Sequence, residues 1–419
     1  MGSVLASLLI VVTAAPAVGA AEAVVGWADC VAEARRANPA LHQAELQLRA
    51  SRARRNSAYG GFLPRVSASL GASDSDEDAR LWFRDMNASW SARLSASQSL
   101  FSGFSTVADV LRASASVRRE EAQLRQASAD LRSRLRLAFV TVVYGQENVT
   151  VQDGIARRRR ANAELVRLKY EAGRENKGAA LRAEADARQA DFEVSRARRA
   201  LILARQKLAR ELGRDAFTTF RVEGDWTLQP PPPEPDLAAL AAATPTAGSV
   251  RASADEARAS LMSARAPFYP SLDASASVGR SGPGFPPDEE KTWSAGLSVS
   301  WNLFNGGRDW FGWRAAAAAA TESESVLAAT VRDQRVALQE ALFSYVDAHE
   351  AISVREQYFE AARARAEIGR AQYANGLLGF VQWDLIEGEL VDAERSALAA
   401  RRDGQNAEAG WRRALGEGL

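Results

Sequence analysis

The sequence has little of what catalysis or a bundle of membrane helices requires. Its 419 residues include one cysteine, Cys30, and two histidines, His42 and His349. A single thiol excludes an internal disulfide framework. No metal-ligand spacing, nucleophile elbow or phosphate loop occurs, and Gly282-x-Gly284 falls between strands rather than before a helix, so no enzyme and no cofactor is expected. Charge of one sign is also missing: 53 Lys+Arg face 52 Asp+Glu, which leaves no basic footprint for nucleic acid. The run Arg157–Arg160 sits in a stretch dense in Glu and Arg and reads as a solvated helix face. Beyond the first 20 residues there is no apolar run of about 18, and mean hydropathy is −0.24, which excludes a multi-span helical membrane protein. Proline is absent from Arg65 to Gln229 and after Pro287, leaving room for very long helices.

What is present begins with an apolar N-terminus, Val4 to Val18, closed by the small residues Ala15 to Ala21. Residues 1–21 read as a secretory signal peptide, although no Lys or Arg precedes the apolar run. The alternative is a buried N-terminal helix. Cys30 carries two readings, an acylated anchor or a small buried hydrophobe. The preceding Trp27-Ala28-Asp29 lacks the small apolar residues of an acylation site, and Cys30 is in register with Val31, Ala34 and Ala37, so burial is expected.

The chain repeats itself. Phe62-Leu63-Pro64 returns as Phe268-Tyr269-Pro270, and Asn38-Pro39 as Thr244-Pro245, an offset of 206 (268 − 62). Trp90-Ser91-Ala92, Leu100-Phe101-Ser102-Gly103, Tyr170-x-x-Gly173 and Leu212-Gly213 return as Trp293-Ser294-Ala295, Leu303-Phe304-Asn305-Gly306, Tyr373-x-x-Gly376 and Leu415-Gly416, an offset of 203 (293 − 90). A constant offset over successive landmarks indicates a tandem duplication. The first repeat spans 22–229, a stiff proline-rich linker 230–236, and the second repeat 237–419.

Each repeat carries two segments of strict alternation, expected as strands at about 64–73, 86–100, 270–280 and 291–303. One face is small and rich in hydroxyls; the other is apolar, with Trp90, Trp293 and Trp301 near strand ends. This suits a transmembrane barrel with a wet lumen and aromatic girdles, and a half-exposed soluble sheet shares the alternation. The polar runs Asp74–Asp78 and Arg280–Asp288 read as the loops within each pair. Four strands cannot close a membrane barrel, so strands in lipid demand several chains; three would supply twelve. The remainder reads as helix, long at about 105–172 and 308–375, returning at about 178–213 and 381–415. Sevens run through Val110, Val117, Leu124, Leu131 and Ala138, and through Val331, Leu338, Tyr345, Ile352 and Phe359, which signals coiled-coil-like packing.

This order of parts, occurring twice, resembles the TolC family of outer-membrane factors over about residues 22 to 419. The resemblance implies an α+β chain, mostly long helices, that forms a homotrimer: a helical barrel continued by a shared 12-stranded β-barrel. It implies an outer-membrane location reaching into the periplasm of a Gram-negative cell. It also implies an exit duct for efflux or type I secretion, with a periplasmic adaptor and an inner-membrane transporter as partners and outer-membrane lipid around the barrel. By the same resemblance, Gly173, Gly376, Leu377, Leu378, Phe380 and Val381 are adaptor-contacting turns, the first turn departing from the pattern by its charge. Asp384 and Glu387, three apart on one helical face, match the acidic aperture pair. In a trimer they would form two acidic rings, raising one another's pKa and favouring cations. The competing expectation from the helices alone is a periplasmic coiled-coil adaptor or scaffold.

Overall fold

The computed structural model describes residues 23–74, 88–214, 220–224 and 226–419. The signal segment 1–21 and the acidic run 75–78 lie outside the described residues. The elements follow the duplicated order: β1 (Ala23–Val25), α1 (Trp27–Ala37), α2 (Pro39–Tyr59), β2 (Arg65–Asp74), β3 (Ala88–Ser102), α3 (Ser105–Glu171) and α4 (Lys177–Leu212), then β4 (Phe220–Val222), α5 (Leu237–Ala243), α6 (Pro245–Ala264), β5 (Ser271–Gly282), β6 (Glu290–Ser300), α7 (Arg308–Ala374) and α8 (Phe380–Leu415). No helix among the described residues is long and apolar enough to cross a membrane.

The recurring motifs are helix starts and stops. Asn38 caps α2 by accepting from the Ala40 amide at 2.9 Å, and Thr244 caps α6 by accepting from Ala247 at 3.3 Å, each followed by proline in the first turn. Tyr-x-x-Gly and Leu-Gly both close helices with a left-handed glycine. At the end of α7, Gly376 N–H donates to Tyr373 O at 3.1 Å and Leu377 N–H to Gln372 O at 2.9 Å, the paired bonds of a Schellman motif. The same pairs of bonds end α3, α4 and α8 at Gly173, Gly213 and Gly416.

The chain divides into two compact units that do not coincide with the two repeats; each takes segments from both. One unit holds the described residues of Met1–Ala37, Leu135–Thr227 and Ile352–Gln405. Its two three-residue strands, β1 and β4, pair in parallel, a contact too short to announce itself in sequence. The inner face of α4 is Ala179, Ala183, Ala187, Ala190, Val194 and Ala197, spaced by threes and fours, so the helix packs through a narrow apolar seam.

Cys30 is fully buried in α1, so the structure favours the buried hydrophobe over the acylated anchor. Burial, and then the Glu33 carboxylate, push its thiol up to about 12. Its folded pKa stands above the unfolded value, so stability is unaffected below pH 9.0 and falls as pH rises from there toward about 12. Maleimide labelling at pH 8 is therefore expected to be at least about a hundredfold slower in the folded protein than in urea. Equal rates would contradict the burial.

The second unit comprises Asn38–Arg134, Leu228–Ala351 and Asn406–Leu419. Ala241, Leu338, Leu342, Tyr345 and Trp411 form a core, and the Tyr345 hydroxyl donates to the Gln229 carbonyl at the start of the proline-rich stretch. Helices α3 and α6 are joined by Arg118–Asp255 at 2.8 Å and Arg119–Glu256 at 2.7 Å.

The same unit carries an antiparallel sheet ordered β2-β3-β5-β6. Register places Ser67, Ser95, Ser277 and Ser294 on one rung, with hydroxyl pairs at 2.8 Å (Ser67–Ser95) and 3.0 Å (Ser277–Ser294). The opposite face carries the rung Ala68, Leu94, Val278 and Trp293. Val66, Leu70, Leu94, Val278, Leu297 and Val299 on this face are all exposed, and Trp293 is 81% exposed. Trp90 is half-buried against Phe285 at 5.1 Å, and Trp301 is the first residue past β6. Strands β2 and β6 are the sheet's edges and have no further partner among the described residues.

Candidate functional site

The turn between α7 and α8 is built on an aromatic stack. Tyr373, in the last turn of α7, and Trp383, in the first turn of α8, lie face to face at 4.2 Å and 8°, both buried. Phe380 meets both rings edge-on. The Lys169 ammonium of α3 donates to the Tyr373 carbonyl and lies 4.2 Å from its ring. From the turn between α3 and α4, Glu175 accepts from the Tyr373 hydroxyl at 3.1 Å. Burial, and then the Glu175 charge, hold the Tyr373 phenol above its ordinary range.

The turn residues split into two sets. Leu377 and Val381 are 78% and 80% exposed, whereas Leu378 and Phe380 pack against the chain's own core. Leu385, one helical turn beyond Val381, is also exposed and extends the outward apolar strip. The i,i+4 spacing could have revealed it in the sequence. The Gly173 turn is exposed and polar; Asn176 caps α4 by accepting from the Ala179 amide at 2.9 Å.

Asp384 and Glu387 of α8 each have a basic partner. Asp384 accepts from Arg159 at 2.8 Å and lies 3.9 Å from Arg182; Asp186 lies 3.2 Å from Arg182 and 4.0 Å from Arg159. Burial, and then the Asp384 charge, hold Asp186 above the usual carboxylate range. Glu387 is almost fully buried and pairs with Arg370 at 3.2 Å. Arg159, Asp186, Trp383, Asp384 and Glu387 line one small closed pocket together with Asn162. Three of the four arginines in the run 157–160 make ion pairs: besides Arg159, Arg158 pairs with Glu394 and Arg160 with Asp191 at 2.5 Å, while Arg157 is exposed as the solvated-face reading expected.

The sequence model of the outer membrane efflux protein family matches residues 30–214 and 239–417. The chain belongs to this family. The two matched stretches are the two repeats, and the membership sets aside the soluble scaffold as a reading. Among solved structures, this efflux protein shares its fold with CusC at TM-score 0.83 and 18% identity, over 93% of this chain and 91% of that one. VceC from Vibrio cholerae matches at TM-score 0.79 and 18% identity, over 93% and 95%. The open state of MtrE from Neisseria gonorrhoeae matches at 0.82 and 19% identity, over 93% and 88%. No curated protein sequence matches. By its family membership this efflux protein is an outer-membrane protein, and it has the TolC-type arrangement of paired strands and long helices in each repeat.

Proposed function

We propose that three copies of this efflux protein close one 12-stranded barrel and form the exit duct of a tripartite efflux or type I secretion assembly. The carrying observation is the four-stranded sheet with two edges unpaired among the described residues and a bare apolar face. Lipid tolerates no open edge, so β6 of one copy pairs with β2 of the next until the ring closes. The strip of Leu377, Val381 and Leu385 beside Gly376 meets the periplasmic adaptor, which joins the duct to an inner-membrane transporter. The Gly173 turn offers charge instead, so the two turns grip different surfaces.

In this trimer Asp384 and Glu387 are the aperture carboxylates. Their tethers to Arg159 and Arg370 hold α8 against its own protomer, and releasing the tethers presents the carboxylates to passing ions. Chemical crosslinking of detergent-extracted outer membranes should stop at a species of three chains. In planar bilayers, trimers carrying Asp384→Asn and Glu387→Gln should lose about half or more of their preference for cations over anions. Unchanged selectivity removes the aperture role, and a crosslinked ladder that stops at two chains removes the barrel.

A further inference from the structure

The apolar face of the sheet is interrupted on one rung. Arg280 of β5 and Lys291 of β6 stand directly opposite one another, on the face that carries Val278 and Trp293 one rung below. Like charges opposed across strands repel, so the pair opposes sheet stability unless something anionic covers it. Both residues are exposed. Neither makes an ion pair or side-chain hydrogen bond with a described residue, and this includes Glu289, which lies beside Gly282. In the first repeat the corresponding rung is Asp74 opposite Ala88, so the basic pair is not a by-product of duplication.

Position adds the second constraint. All four helices adjoining the sheet attach at one end, and Arg280 and Lys291 sit at the other, beside the β5–β6 connection. A charge on the lipid face of a barrel is costly at the midplane and nearly free at the interface. The rung therefore marks the outer interface, with the bare Trp293 ring at the depth where acyl chains begin.

We propose that Arg280 and Lys291 bind the phosphate groups of an anionic glycolipid of the outer leaflet, whose acyl chains lie along Trp293 and Val278. The inference rests on the barrel reading above. Arginine offers a planar fork to phosphate oxygens and lysine a point charge, and opposed residues lie close enough to share one phosphate.

The test uses the full-length protein in detergent micelles. Outer-membrane origin and trimer mass are read first, because their loss defeats the barrel reading rather than this one. Titration by native mass spectrometry then compares a bis-phosphorylated lipid A, its dephosphorylated form and inorganic phosphate. The double variant Arg280→Gln/Lys291→Gln should bind phosphorylated lipid A at least tenfold more weakly, with Lys291→Gln alone intermediate and conductance unchanged. Dephosphorylated lipid should bind wild type and variant alike, and inorganic phosphate at equal concentration should not displace the lipid. Equal binding of phosphorylated lipid A by wild type and double variant overturns the proposal. So does full displacement by phosphate, which would indicate a free-anion site.

Discussion

Gly213→Ala should destabilise the unit that contains α1 and α4 by about 2–5 kcal/mol, whereas Gly376→Ala should cost only about 1 kcal/mol. Both glycines end helices in the left-handed region, at φ +81° and +78°. An added Cβ at Gly376 meets nothing, so only the conformational penalty applies there. At Gly213 it would sit 2.5 Å from the Ala37 carbonyl oxygen, a backbone atom that cannot swing aside. The next residue, Arg214, forks onto both oxygens of Glu33 at 2.5 and 2.7 Å, so retreating from Ala37 would break that pair as well. Thermal unfolding and hydrogen exchange at the last turn of α4 would measure both variants. Equal costs would mean that the approach to Ala37 is unimportant.

Trp383→Ala should destabilise the α7–α8 turn by about 3–5 kcal/mol. The indole is 2% exposed, and it stacks on Tyr373 and meets Phe380. Without it, Tyr373 loses its stacking partner, and the hydroxyl that reaches Glu175 is freed to move. Limited proteolysis should then cut near Gly376 at least ten times faster, while cleavage in the β-sheet unit stays unchanged. A turn as resistant as wild type would show that the stack is not what holds it.

The two predictions draw on features that differ in how far the sequence discloses them. Helix ends were legible, because a left-handed stop needs glycine at one fixed place, and Gly173, Gly213, Gly376 and Gly416 mark the four long helices to within a residue or so. Strand faces were legible too, since period two in Val66–Ala72 and Trp293–Val299 forces one side polar and one side apolar. Partners were not. Asp384 and Glu387 stand three apart in the sequence, yet Arg159 and Arg370, which meet them, lie on α3 and α7. Nothing local in a helix specifies which distant helix will face it. Leu378 and Phe380 look like Leu377 and Val381 in composition, but the turn's geometry sends the first pair inward and the second outward. Arg280 and Lys291 were hidden for a related reason: eleven residues apart, they become neighbours only once the hairpin register is known.

The rung Ser67, Ser95, Ser277 and Ser294 has a consequence of its own. A serine hydroxyl turns about its C–O bond and can give or receive a hydrogen bond on demand. A wall tiled with such rotors offers a passing solute the same exchangeable partners as the water it displaces. The rung itself has neither a fixed dipole to select a charge nor an apolar patch to detain a greasy face, although Arg93 stands on an adjoining rung of the same face. In a closed ring this stretch would act as a lubricated sleeve, and any discrimination would have to be exercised elsewhere along the path.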